Sequence, residues 1–243
     1  MNGVPLLELT KQDGSNKSNL HYLDLLGSKF TTLPTEFFCE MASLEELILR
    51  NCSNLKELPP SMARLSNLLI LHVEGSQITS FPEDMFQAMR SLDTLKLINN
   101  VLLMSLPMSL SEATGLKQLH ICDCIRLMSI PWSWSKAKCL RELHLSNCAG
   151  LSREFLQELV PCLEDLYIQT WKSLESIKIH GHPNLRMFSL SGPWIRCLSL
   201  RGCSKLKILN LVDDLTALED VDISETGLEE VPRNLPNLPQ LRR

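Results

Sequence analysis

The chain has no apolar run approaching the roughly 18 residues that cross a bilayer as a helix, so no membrane partner is expected. It has no basic excess either. Its 24 Lys and Arg are outnumbered by 28 Asp and Glu, for a net charge of −4, which argues against a nucleic-acid partner. The start, Met-Asn-Gly-Val-Pro-Leu-Leu-Glu-Leu, lacks the charged head and apolar core of a secretory leader. Without such a leader, the 9 cysteines are expected to be reduced thiols, and the location cytoplasmic or nucleo-cytoplasmic. No Ser/His/Asp set or carboxylate pair is fixed by the sequence pattern, so neither an enzyme nor a cofactor is expected.

What the sequence does carry is a phrase: Leu-x-x-Leu-x-Leu, a small polar or thiol residue, then an apolar residue followed by Pro. It begins at Leu20, Leu44, Leu68, Leu92, Leu116, Leu140 and Leu163, at steps of 24, 24, 24, 24, 24 and 23 residues. In Leu44-Glu-Glu-Leu47-Ile-Leu49, residues 47 and 49 point to one side of an extended strand and Ile48 to the other. A bend follows at Ser28, Cys52, Ser76, Asn100, Cys124 and Cys148, where a short polar side chain can satisfy backbone groups turned away from water. The closing pairs are Leu33-Pro34, Leu58-Pro59, Phe81-Pro82, Leu106-Pro107 and Ile130-Pro131, with an apolar anchor three residues later at Phe37, Met62, Met85, Leu110 and Trp134. Proline fixes φ where the chain turns onto the outer face and suits the first turn of a short helix.

A repeat of this length is one coil of a leucine-rich-repeat solenoid, whose period is roughly 20–29 residues. One coil cannot bury its own open faces, and stacking shares the core between neighbours. The expected fold is α/β: a curved horseshoe with a parallel concave sheet, short helices or 3-10 turns, and extra strands on the convex side.

The expected organisation is a flank or partial repeat over 1–19, regular coils over 20–162, and tighter, irregular coils over 163–243. In the last part, phrase starts fall at Leu174, Leu185, Ile195, Leu206 and Leu218, too close for a full coil each. Coils of about 22 residues with a strand on both faces account for this. Leu228-Glu-Glu-Val231-Pro232 implies that Leu218 opens a concave strand, which requires a half-coil slip between residues 170 and 206. Bend positions here hold Trp171, His182, Pro193, Cys203, Asp214 and Thr226. Leu151 to Leu159 reads as a longer outer helix. Both ends read as cut from a longer array, leaving Leu23/Leu25 and Val231/Leu235 exposed and the chain prone to aggregate.

The form Leu-x-x-Leu-x-Leu-x-x-Cys-x-x-Leu-x-x-Leu-Pro, as in Leu44–Pro59, resembles the cytoplasmic plant subclass of the repeat. With Ile179-His-Gly-His-Pro-Asn-Leu185, it is similar to the C-terminal region of plant nucleotide-binding leucine-rich-repeat immune receptors. The resemblance covers nearly all of residues 20–243. It implies recognition of a pathogen effector or guarded host protein, and autoinhibitory packing on a nucleotide-binding domain, in cis or in trans. There is no Gly-x-x-x-x-Gly-Lys-Ser/Thr phosphate loop, so the chain resembles the sensor arm without the switch. A constitutive scaffold or ubiquitin-ligase substrate adaptor on the same solenoid is the alternative.

The concave strand centres are Asp24, Ile48, His72, Lys96, His120, His144 and Tyr167. With strands about 4.8 Å apart, His120 and His144 are expected to be neighbours. Cys122 lies on the same face, which raises zinc ligation. With no fourth ligand positioned, solvated histidines and an exposed thiol are the favoured reading, and no metal site is expected; His180 and His182 are read the same way. The expected protein-binding residues are Tyr22, Glu45, Glu46, Arg50, His72, Glu74, Lys96, Lys117, His120, Arg141, Glu142, His144, Glu164, Asp165 and Tyr167, with His21 and Asp93 beside them. Most are expected to be energetically silent, because hot spots are a minority of any interface. Trp132 and Trp194 are the aromatics expected at the surface.

Overall fold

The computed structural model describes residues 17–130, 139–151, 162–170, 174–212 and 214–242. Trp132, Trp134, Trp171, most of the expected outer helix after Leu151, and the flank before Lys17 lie outside them. Twelve strands are described: β1 (Tyr22–Asp24), β2 (Glu46–Arg50), β3 (Ile70–Glu74), β4 (Thr94–Ile98), β5 (Gln118–Cys122), β6 (Glu142–Ser146), β7 (Asp165–Gln169), β8 (Ser176–Lys178), β9 (Met187–Ser191), β10 (Cys197–Ser199), β11 (Ile208–Leu211) and β12 (Asp220–Asp222). Nine of them form the concave parallel sheet, in the order β1-β2-β3-β4-β5-β6-β7-β9-β11. The remaining three form an outer sheet, in the order β12-β10-β8.

The register follows from the repeat. Leu47 pairs with Leu71, Leu71 with Leu95, Leu95 with Leu119 and Leu119 with Leu143. Leucines at both inward positions of these strands, Leu47, Leu49, Leu95 and Leu97 among them, are fully buried. The convex anchors Phe37, Met62, Met85 and Leu110 close the core from the other side. Each anchor's N–H donates to the carbonyl of the proline three residues before it, from 3.0 to 3.1 Å. Two of these corners are 3-10 turns, Pro60–Arg64 and Met108–Glu112, where the missing proline N–H costs nothing because no partner awaited it.

The bend residues are tied to the preceding coil. Cys52 Sγ donates to Leu25 O at 3.2 Å, and Cys148 Sγ to Ile121 O at 3.3 Å. Asn100 Nδ2 does the same to Val73 O at 2.9 Å. The residue just before each bend is left-handed: Gly27, Asn51, Gly75, Asn99, Asp123 and Asn147 have φ from 47° to 67°. Gly, Asn and Asp are the types that tolerate this conformation best. In that turn the N–H points at the next coil, as Asn99 N–H donates to Cys122 O at 2.8 Å.

Among the described residues the tighter coils hold no slip. The concave register runs on through Leu166, Phe188 and Leu209, so Leu185 and Leu206 open concave strands. Leu218 does not. Asp220–Asp222 pairs with Cys197–Ser199 in the outer sheet. The same Leu-x-x-Leu-x-Leu phrase serves strands on both faces here, so the phrase alone cannot distinguish them; lateral pairing does. The irregular bends also find partners. The buried His182 accepts at Nδ1 from Leu185 N–H (3.1 Å), Cys203 Sγ donates to Ile179 O (3.4 Å), and Asp214 Oδ1 accepts from Gly192 N–H (2.8 Å).

One end differs from expectation. Leu23 and Leu25 are buried, because both point into the core shared with Leu33, Phe37 and Phe38. Val231 is 61% exposed and Leu235 half-buried.

Candidate protein-recognition face

Parallel pairing converts sequence spacing into rows across the concave sheet. The central row reads Asp24, Ile48, His72, Lys96, His120, His144, Tyr167, Ser189 and Asn210. Tyr22, Glu46, Glu142 and Asp165 share the row before it with Ile70, Thr94, Gln118, Met187 and Ile208. Arg50 and Glu74 share the row after it with Ile98, Cys122, Ser146 and Gln169. Glu45, Lys117, Arg141 and Glu164 precede the strands directly, with His21 and Asp93. All fifteen expected residues keep some exposure. Tyr22 is 51% exposed, and Trp194, between β9 and β10 and outside these rows, is 45% exposed. Ile48 is buried at 9%, so the central row is not solvated throughout.

Charges along these rows pair laterally. Asp24 takes Arg50 at 2.9 Å. Asp93 takes Lys117. Glu164 lies between Arg141 and Arg186, at 3.7 and 3.2 Å. Exposed pairs of this kind are worth little to stability, roughly 0–1 kcal/mol. Their effect is to pattern the face in alternating signs, which favours matching partners over others.

The centre of the face is an aromatic stack. The His120 and His144 rings lie 4.2 Å apart and 6° from parallel, and His144 and Tyr167 lie 4.0 Å apart at 15°. His144 is therefore held between its neighbours on β5 and β7. Glu142 Oε1 is 2.8 Å from His144 Nε2 and 3.6 Å from His120 Nε2. Gln118 Nε2 donates to the other carboxylate oxygen at 3.0 Å, and Thr94 Oγ1 donates to Gln118 Oε1 at 3.2 Å. His120 Nε2 is buried without a hydrogen-bond partner among the described residues. These histidines are half-buried rather than solvated, and so is Cys122. Burial first, and then the neighbouring His144, push the His120 pKa down to about 4. Burial also lowers His72 and raises Cys122.

Sequence reasoning found the histidine pair but not the carboxylate between them. Glu142 was visible only as another charged concave position, two residues before His144. Exposed Leu69 and Ile208 (41% and 50%) and the half-buried Met187 also face this side and were missed. Their signal was their register with Glu45 and Glu46. His180 is exposed, with Nε2 2.9 Å from Ser199 Oγ, away from the concave rows.

No curated protein sequence matches the chain. The fold is similar to a leucine-rich-repeat protein of Leptospira interrogans, with a TM-score of 0.54 at 17% identity, covering 93% of this chain and 76% of that one. It is also similar to human 5T4, the trophoblast glycoprotein, with a TM-score of 0.50 at 17% identity, covering 84% and 75%. Residues 11–122 match the family model of a leucine-rich repeat region, and the architecture is a leucine-rich-repeat solenoid.

Proposed function

We propose that the concave sheet binds a protein, and that the chain is the sensing and autoinhibitory arm of a plant intracellular immune receptor acting in defence. The observation that carries the binding reading is the continuous central row, in which stacked His120, His144 and Tyr167 sit among laterally paired charges. Protein hot spots are enriched in Tyr, Trp and Arg near the centre of an interface, and Tyr167 and Arg141 lie in this part of the face. The receptor reading rests on the cytoplasmic-type repeat phrase and its decay into tighter coils. It carries a cytoplasmic location, and as partners a pathogen effector, a guarded host protein or a nucleotide-binding domain. A scaffold or ubiquitin-ligase adaptor is the second reading, favoured by the same sheet without a regulatory partner.

Proximity labelling in plant cells tests the binding face. Wild type is compared with the concave variant Lys96→Glu/Tyr167→Ala and the convex variant Arg64→Ala/Gln87→Ala. Labelled proteins lost in the concave variant and kept in the convex one are expected. An identical set for all three would end the concave reading. A nucleotide-binding domain among the lost proteins, or encoded upstream in the same gene, favours the receptor arm; an F-box favours the adaptor.

A further inference from the structure

Three potential ligand atoms converge on the concave face without any other task that uses them all. One ring nitrogen of His120, one of His144 and a Glu142 carboxylate oxygen all lie within 4.8 Å of one another. We propose that His120, Glu142 and His144 form a site for a divalent transition-metal ion of the zinc class, its fourth position open to water or to a side chain of a bound protein.

Ligand chemistry selects the ion. Two imidazoles and one carboxylate suit zinc, whereas calcium and magnesium require mostly oxygen ligands. An ion about 2.0–2.1 Å from each nitrogen needs donors about 3–3.5 Å apart. The 2.8 and 3.6 Å separations from Glu142 Oε1 already span that range. The two rings must tilt apart from their stacked arrangement to aim both nitrogens at one ion. His120 has the freedom, because its Nε2 is committed to no hydrogen bond.

The surroundings favour occupancy. Gln118 holds the second Glu142 oxygen, leaving the first turned toward the imidazoles, which is the role of an outer hydrogen bond at a metal site. Tyr167 supports His144. A metal takes the lone pair of a neutral ring, and His120 Nε2 makes no hydrogen bond among the described residues. The proton that His144 shares with Glu142 would move to Nδ1, freeing the Nε2 lone pair. Lys96, next to His120 in the row, opposes a cation and limits the affinity. Three protein ligands with one open position is the arrangement of open zinc sites, which keep a place for water or a ligand, rather than of closed structural ones. This site stands independently of the identity of any protein partner.

The test is zinc titration of the full chain by calorimetry under a phosphine reductant, followed by cobalt substitution. One zinc per chain is expected. His144→Asn and Glu142→Gln should each weaken binding by about tenfold or more, with circular dichroism showing both variants folded, while Cys122→Ser leaves binding unchanged. Cobalt should give tetrahedral d–d absorption without a thiolate charge-transfer band, and magnesium and calcium should not compete. Absence of saturable binding would overturn the site. So would binding that persists in His144→Asn, or a thiolate band assigning the metal to cysteine.

Discussion

Asn100 Oδ1 accepts a 2.6 Å hydrogen bond from the hydroxyl of Ser76, one coil earlier, and a second from the Ser76 N–H at 3.2 Å. With its amide on Val73 O, the Asn100 side chain joins two coils at a position that is 1% exposed. Asn100→Ala would leave the Ser76 N–H unpaired in the core and remove one donor from the Val73 carbonyl. A buried orphan costs about 1–3 kcal/mol, so a loss of about 1–3 kcal/mol is expected in urea unfolding. Asn100→Cys should cost less, because a thiol serves this position in neighbouring coils.

Leu97 is fully buried at the middle of the sheet. Leu97→Ala is expected to destabilise the solenoid by about 2–5 kcal/mol. A urea midpoint equal to that of wild type would mean that this side chain does not fill the core.

The bend thiols should be chemically quiet. Burial pushes Cys124 up to about 12 and raises Cys148 as well. The thiolate is the reactive form, so alkylation of these two in the native protein should wait for unfolding, while partly accessible Cys197 reacts sooner. Mass spectrometry of timed iodoacetamide labelling reads this directly. The Cys124 thiol is raised in the fold, so its contribution is complete below the unfolded value near 9 and is lost as pH climbs toward about 12.

Acid acts on His120 in the opposite sense. Its folded pKa, about 4, lies below the ordinary value of 6.5. Burial, His144, Lys96 and His72 push it down, and Glu142 pulls it back. The neutral ring's stability is therefore present above 6.5 and lost as pH falls toward 4, by up to about 3 kcal/mol. His120→Asn should flatten that part of the stability profile. A variant with the wild-type acid slope would show that the imidazole titrates freely.

Asn147 has φ 47°, and its side chain donates to Asp123 Oδ1 at 2.8 Å. Asn147→Val puts a β-branched residue where only a few types are tolerated, and should cost about 2 kcal/mol. Asn147→Gly keeps the turn and should cost clearly less. Equal urea midpoints for the two would contradict the role given to this turn.

Much of this molecule could be read from spacing, because a parallel solenoid makes residues 24 apart into neighbours. That rule placed Leu97 in the core, Cys124 at the bend and His120 beside His144. It could not place Glu142 between two imidazoles, since that depends on rotamers and on Gln118 reaching from the adjacent strand. It also failed at Leu218, where strands on both faces share one phrase and only pairing with Cys197–Ser199 tells them apart. The left-handed turn had a readable signal, Gly or Asn or Asp at 27, 51, 75, 99, 123 and 147, one residue before the more conspicuous bend.

The account rests on the concave centre being the binding surface. The most direct measurement is the affinity of a protein captured by proximity labelling, determined by calorimetry for wild type, His144→Ala/Tyr167→Ala and Arg64→Ala/Gln87→Ala. The account predicts that the concave pair weakens binding by about tenfold or more, at least about 1.4 kcal/mol, while the convex pair leaves it unchanged. Undiminished affinity in the concave variant, with loss in the convex one, would contradict it.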